Sequence, residues 1–164
     1  MHTPLILVTN DDGVQAPGVR ALHEAVGTLG RAVIVAPERD NSAVSHALTM
    51  NRPLRVVALE PDIYTLDGTP TDCVSIAINK ILDARPDLLV SGINPGANLG
   101  DDISYSGTVS AAIEGTMYGI PSAKSVVCTH QRCQNEAGRD AVSVVGALTR
   151  GIVHPPGAAA SRRR

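Results

Sequence analysis

Short apolar runs alternate along this chain with stretches of helical periodicity. Leu5 to Thr9 is apolar and β-branched, too short for a stable helix, and predicts a buried strand. After Pro17-Gly18, the residues Val19, Leu22, Val26 and Leu29 fall at helical spacing and predict a helix that ends near Gly27 to Gly30. Ala32 to Ala36 is a second short apolar run, stopped by Pro37. Together they predict a β-α-β unit whose two strands lie parallel. From His46 to Leu66 the alternation is imperfect, with Tyr64 to Leu66 a further short strand, so an antiparallel or edge excursion from the main sheet is expected. Gly68-Thr69-Pro70-Thr71-Asp72 predicts a turn running into a helix capped by Thr71 or Asp72, with Val74, Ala77, Ile78, Ile81 and Leu82 on one face.

Leu88 to Val90 predicts another buried strand, followed by a polar, glycine-rich loop from Ser91 to Asp102. Val109, Ala112, Ile113 and Met117 predict the next helix. A strand is expected at Ser125 to Cys128 and a helix at Glu136 to Thr149, with Val142, Val145 and Leu148 as its apolar positions. Pro155 to Arg164 has the composition of a disordered tail, and its arginine run reads as a solvated terminus.

Composition narrows the picture. The length of 164 residues suits one domain with a real core. Apolar residues make up 43%, without Trp or Phe and with only three Tyr, so the core is built from Val, Ile, Leu and Ala, as suits an α/β sheet. A net charge of −2, with both signs mixed along most of the chain, gives no footprint for a nucleic-acid polymer or an anionic membrane. Three cysteines, no amino-terminal signal peptide and no long apolar run predict a soluble, cytoplasmic protein. Cys128 and Cys133, with His130 between them, offer too few partners for a metal site. Cys73 in the first turn of its helix is read as a packing residue, a reactive thiol being the alternative.

Candidate chemistry gathers where strands end. Asn10-Asp11-Asp12-Gly13 follows the first strand directly. Adjacent carboxylates repel, and a divalent cation is the simplest remedy; oxygen-only donors favour a hard ion such as Mg²⁺, Mn²⁺ or Ca²⁺. The same residues also make a tight turn, and both readings stand at this level. The loop after the second strand carries Arg39, Asp40, Asn41 and Ser42, which can donate or ligate, and the loop after Val90 offers neutral oxygens on Asn94 and Asn98. Ser106-Gly107-Thr108 opens a helix, either as an ordinary cap or as a cradle for a phosphate built from free N–H groups, hydroxyls and the helix dipole. All of these loops leave the same carboxyl edge of a parallel sheet, where ligands collect, and together they suit phosphoryl transfer.

Asn10-Asp11-Asp12-Gly13 with Ala16-Pro17-Gly18, Ala36-Pro37 and Ser42, Gly68 to Cys73, Ser91 to Asn94 with Gly96 and Asn98-Leu99-Gly100, and Tyr105 to Thr108 closely resemble the SurE (survival protein E) family of metal-dependent nucleotidases. The resemblance covers residues 4 to 122 in order. It implies a Rossmann-like, three-layer α/β/α fold with a mostly parallel sheet. It also implies a phosphoric monoester hydrolase that converts nucleoside 5′- and 3′-monophosphates to nucleoside and phosphate with Mg²⁺ or Mn²⁺. Carried over by position, it puts metal ligands on Asp11, Asp12, Ser42 and Asn94, and phosphate contacts on Ser106, Gly107, Thr108 and Asn98. Asp11 or Asp12 would also take the proton of the attacking water. A homodimer or tetramer is implied as well. The likeness fades after Ser122, so residues 1–150 are expected to form a nucleotidase domain shortened at its carboxyl end, with 151–164 as the tail. A non-catalytic nucleotide-binding module or an inactive relative is the alternative.

Overall fold

The computed structural model describes residues 2–42, 44–94 and 105–126. Six strands form one sheet in the order β3-β4-β2-β1-β5-β6. β1 (Leu5–Thr9) lies at its centre, parallel to β2 (Arg31–Pro37) on one side and to β5 (Leu88–Asn94) on the other. All five β1 residues are buried, because helices cover both faces of the sheet. On one face Ile6 and Val8 pack with Val19, Leu22 and Val26 of α1 (Pro17–Gly27). On the other, Leu5 and Leu7 pack with Cys73, Val74 and Ala77 of α2 (Pro70–Ile76) and its π-helical continuation Ala77–Ile81, and with Ala111 of α3 (Gly107–Met117). The expected three-layer, Rossmann-like α/β/α arrangement is therefore present, and the alternation of odd and even β1 residues divides its two cores.

The excursion after β2 differs in part from expectation. β3 (Val56–Glu60) is antiparallel to β4 and exposed throughout, as an edge strand is. β4 (Ile63–Leu66) instead pairs parallel with β2 and joins the main sheet, which buries Ile63 and Leu66. The cap of α2 also lies two residues upstream of the expected Thr71 and three upstream of Asp72. Thr69 is the N-cap and accepts from the Asp72 N–H at 3.1 Å, while the Asp72 carboxylate receives the Thr69 N–H at 2.9 Å. This reciprocal pair satisfies two amides that the helix itself cannot.

β5 runs on to Asn94, so Ser91 to Asn94 is strand rather than loop. The glycine there has a local cause: Gly92 has φ +140°, and a Cβ on it would run into the Ser125 carbonyl of β6 (Ser122–Val126). β6 is parallel to β5 and is an edge strand among the described residues. Beside it, Val109, Ala112, Ile113, Thr116 and Met117 of α3 line a groove of about 530 Å³ with Ser122 and Lys124. Cys128, His130, Cys133, the helix expected at Glu136 to Thr149 and the expected tail lie outside the described residues.

Two carboxylates anchor the periphery. Asp67 is held below the usual carboxylate range chiefly by the Arg55 N–H at 2.7 Å, then by Arg52. Asp87 is lowered chiefly by the Leu5 N–H at 2.9 Å, then by His2. A depressed carboxyl adds stability that is present above its unfolded value, about 3.9, and is lost as pH falls through the folded value. Denaturant midpoints are therefore expected to drop on acidification below pH ~4, with a shallower drop in Asp67→Asn/Asp87→Asn. Parallel acid limbs for the two proteins would refute this.

Candidate active site

β1 delivers Asp11 and Asp12 to the carboxyl edge of the sheet, and Gly13 turns the chain there with φ +99°. The Asn10 side-chain amide donates to the Gly13 carbonyl at 2.9 Å, and the Val14 N–H to the Pro37 carbonyl at 2.8 Å, which ties the acidic turn to the end of β2. Asn10 is fully buried, and among the described residues its Oδ1 has no hydrogen-bond partner. Such an orphaned acceptor is costly unless the site holds something that meets it.

Asp11 is 4% exposed. Its Oδ1 receives the Thr108 hydroxyl at 2.5 Å, and its main-chain carbonyl receives the Asn41 N–H at 2.7 Å. A Cβ on Gly107 would lie 2.7 Å from the Asp11 Cβ and 3.1 Å from its Oδ2, so only glycine leaves room for the carboxylate. The acidic turn and the start of α3 thus meet face to face. Ser106 is the N-cap of α3 and its hydroxyl accepts from the Val109 N–H at 3.4 Å, as the capping reading expected. The amides of Gly107 and Thr108 open the helix, where the dipole is positive.

Asp12 is less buried than Asp11. Its carboxyl is pushed up, first by burial and then by the charges of Asp11 and Asp40. Ser42 is exposed, and both its amide and its hydroxyl donate to Asp40 Oδ1, at 2.7 and 2.5 Å. These two bonds hold the Asp40 carboxyl down. With its hydrogen committed to Asp40, the Ser42 oxygen keeps its lone pairs for another partner. Asn94 stands half-buried at the end of β5. Asn98 lies outside the described residues. Cys73 is fully buried and its thiol is pushed well up, mainly by burial and then by Asp72, which fits packing and not nucleophilic chemistry.

Asp40 is the group whose part the residue pattern alone understated, since its charge reaches Asp12 while its oxygen orients Ser42. Its position two residues before Ser42 is the signal, because a carboxylate at that spacing folds back on the following amide. Among the described residues, no cluster of three or more His, Cys, Asp or Glu is arranged to hold a metal. A cavity of about 500 Å³ opens next to this loop, bordered by Asp40, Asn41, Thr49 and Thr69. Its rim carries Arg39, Arg52 and Arg55 against Glu38, Asp40 and Asp67, a balance of charge.

Fold and site together define a doubly wound α/β protein whose acidic strand end is clasped to a hydroxyl-bearing helix start. The chain belongs to the Survival protein SurE family, which it matches over residues 6–159. It is 57% identical over 141 residues to the 5′-nucleotidase SurE of Pelobacter propionicus, covering 85% of this chain and 57% of that protein. To the 5′-nucleotidase SurE of Geobacter metallireducens it is 55% identical over 132 residues, covering 80% and 52%. The crystal structure of the SurE protein from Aquifex aeolicus superposes with a TM-score of 0.80 at 43% identity, covering 92% of this chain and 61% of that one. The chain thus spans between half and two thirds of the length of these relatives.

Removing the Thr108 hydroxyl while keeping its shape strips a donor from a buried carboxylate. Thr108→Val is expected to lower stability by about 1.5–3 kcal/mol in urea denaturation, the range for hydrogen bonds to charged groups. Thr108→Ser should retain most of it. A valine variant as stable as the parent would show that the bond contributes nothing.

Proposed function

We propose that this chain is a metal-dependent phosphomonoesterase acting on nucleoside 5′-monophosphates, and on 3′-monophosphates as well. The observation that carries the reading is the contact of Asp11 with Gly107 and Thr108, which joins a cation-seeking acidic turn to a helix start suited to phosphate. The relatives named 5′-nucleotidase SurE support the choice of substrate.

Two carboxylates, a hydroxyl and an amide carbonyl are hard oxygen donors, and they fit Mg²⁺ or Mn²⁺ held by Asp11, Asp12, Ser42 and Asn94. The Asn10 oxygen, unpartnered among the described residues, and the Asp12 carboxyl, raised by burial and then by Asp11 and Asp40, support a positive charge at this spot. When bound, the cation neutralises the phosphoryl oxygens and favours deprotonation of a water. The N–H groups of Gly107 and Thr108, with the Ser106 hydroxyl beside them, would meet the remaining oxygens, and the family resemblance adds Asn98, which lies outside the described residues, as a further phosphate contact. Asp11, pinned by Thr108, serves as the fixed ligand, and Asp12, the less buried of the two, accepts the proton of the attacking water. The water oxygen bonds to phosphorus, the P–O ester bond breaks, and a proton from solvent ends on the nucleoside oxygen. The balanced rim of the adjacent cavity suits the uncharged nucleoside, and its volume is that of a small-ligand site.

Phosphate release from a panel of nucleoside monophosphates tests this directly. Turnover is expected with Mn²⁺ and absent in EDTA, and Asp12→Asn should lower it by about a hundredfold or more. Turnover that persists in EDTA refutes the mechanism, and nucleotide binding without turnover identifies a binding module instead.

The metal also has a thermodynamic signature. Because the Asp12 carboxyl is raised in the fold, its contribution is favourable below the unfolded value and is lost as pH rises through the folded one. At neutral pH the ionised group therefore strains the metal-free protein. Asp12→Asn should melt higher than the parent in EDTA yet lose the rise in Tm that Mn²⁺ produces. A variant that keeps that rise would remove Asp12 from the ligand set.

A further inference from the structure

The segment from Asp40 to Thr49 lies between β2 and β3, its described residues form no helix or strand, and it is fastened at both ends. At its start the Asn41 N–H bonds to the Asp11 carbonyl at 2.7 Å, and Ser42 is clasped by Asp40. At its far end the Ala47 carbonyl receives the Thr69 hydroxyl at 2.6 Å, and Thr49 bonds twice to Asp72, at 2.9 and 2.6 Å, all on the cap of α2. Between these anchors the segment touches α3. His46 Nε2 bonds to Glu114 Oε2 at 2.7 Å, and the Ser45 N–H reaches the Tyr105 carbonyl at 3.4 Å just ahead of that helix. Glu114 is a carboxylate with only 8% of its side chain exposed, 68 residues from His46 in sequence. A buried carboxylate on a helix is costly unless it is paired, so this contact demands a reason.

We infer that His46 and Glu114 are a positioning pair that registers the Ser42 loop against α3, and so holds Ser42 at a set place relative to the Ser106-Gly107-Thr108 turn. The inference rests on the ligand role proposed above for Ser42. Geometry separates this role from general stability. The Ala47 and Thr49 bonds end on the α2 cap and do not involve His46, so without it the strap stays on the fold, while the Ser42 end loses the side-chain part of its tie to α3 and keeps the main-chain bond from Ser45 to Tyr105. Groups that orient metal ligands from behind commonly set affinity in this way.

The test uses the whole chain with His46→Ala/Glu114→Gln, which leaves no unpaired buried charge, beside Glu114→Gln alone, whose amide can still bond the imidazole. Three quantities are measured: Mn²⁺ affinity by calorimetry, Tm in EDTA, and hydrogen exchange of residues 41–50. The double variant is expected to bind Mn²⁺ about ten- to a hundredfold more weakly, to keep its Tm, and to exchange faster within 41–50 only. Glu114→Gln should recover most of the affinity. Unchanged Mn²⁺ affinity in the double variant overturns the inference, as does a loss of affinity that merely follows a fall in Tm. If the parent binds no Mn²⁺, the metal reading fails. Exchange then decides alone: faster exchange confined to 41–50 upholds the brace, and unchanged exchange removes it.

Discussion

The bond from the Thr108 hydroxyl to Asp11 is the contact on which the site depends. Asp11 sits at the end of the central strand, and Thr108 in the first turn of a helix on one face of the sheet. Neither element could hold a carboxylate out of water alone. The strand supplies a rigid base between two parallel neighbours, the helix supplies a donor and a positive dipole, and Gly107 supplies the space. What results is a buried carboxylate that, among the described residues, is held by a hydroxyl and not by a salt bridge.

Around that contact the carboxylates divide their roles. Asp11 is fixed by donors, Asp40 is quieted by the amide and hydroxyl of Ser42, and Asp12 carries the excess of repulsion. Groups of one kind are thus set apart by surroundings alone, which is how acid–base and ligand functions separate in a compact site.

The β1-α1-β2 unit was legible because its signals are local: apolar runs of strand length, helical spacing, and Pro37 as a stop. The insertion of β4 between β3 and β2 was not, since strand order depends on pairing between distant segments. The cap of α2 was misplaced by two or three residues although Thr69 and Asp72 stand at capping-box spacing, because Thr71 and Asp72 looked equally suitable. Glycine at position 92 made a strand resemble a loop, and the approach of β6 that requires it is a tertiary fact. In the site, the convergence of Asp11 with Gly107 and Thr108 followed from the rule that loops of a parallel sheet meet at its carboxyl edge. The pairing of His46 with Glu114 had no counterpart in the pattern, since a histidine in a loop and a glutamate on a helix carry no mutual signal across such a separation.

Asp11 and Thr108 are also 97 residues apart along the chain. Bringing them together closes a long loop, an entropic cost that the packing of the sheet and its helices must offset. A polypeptide still emerging during synthesis has the acidic turn in hand long before the helix that clasps it. A chain cut short of Thr108 would therefore carry the acidic turn without its clasp.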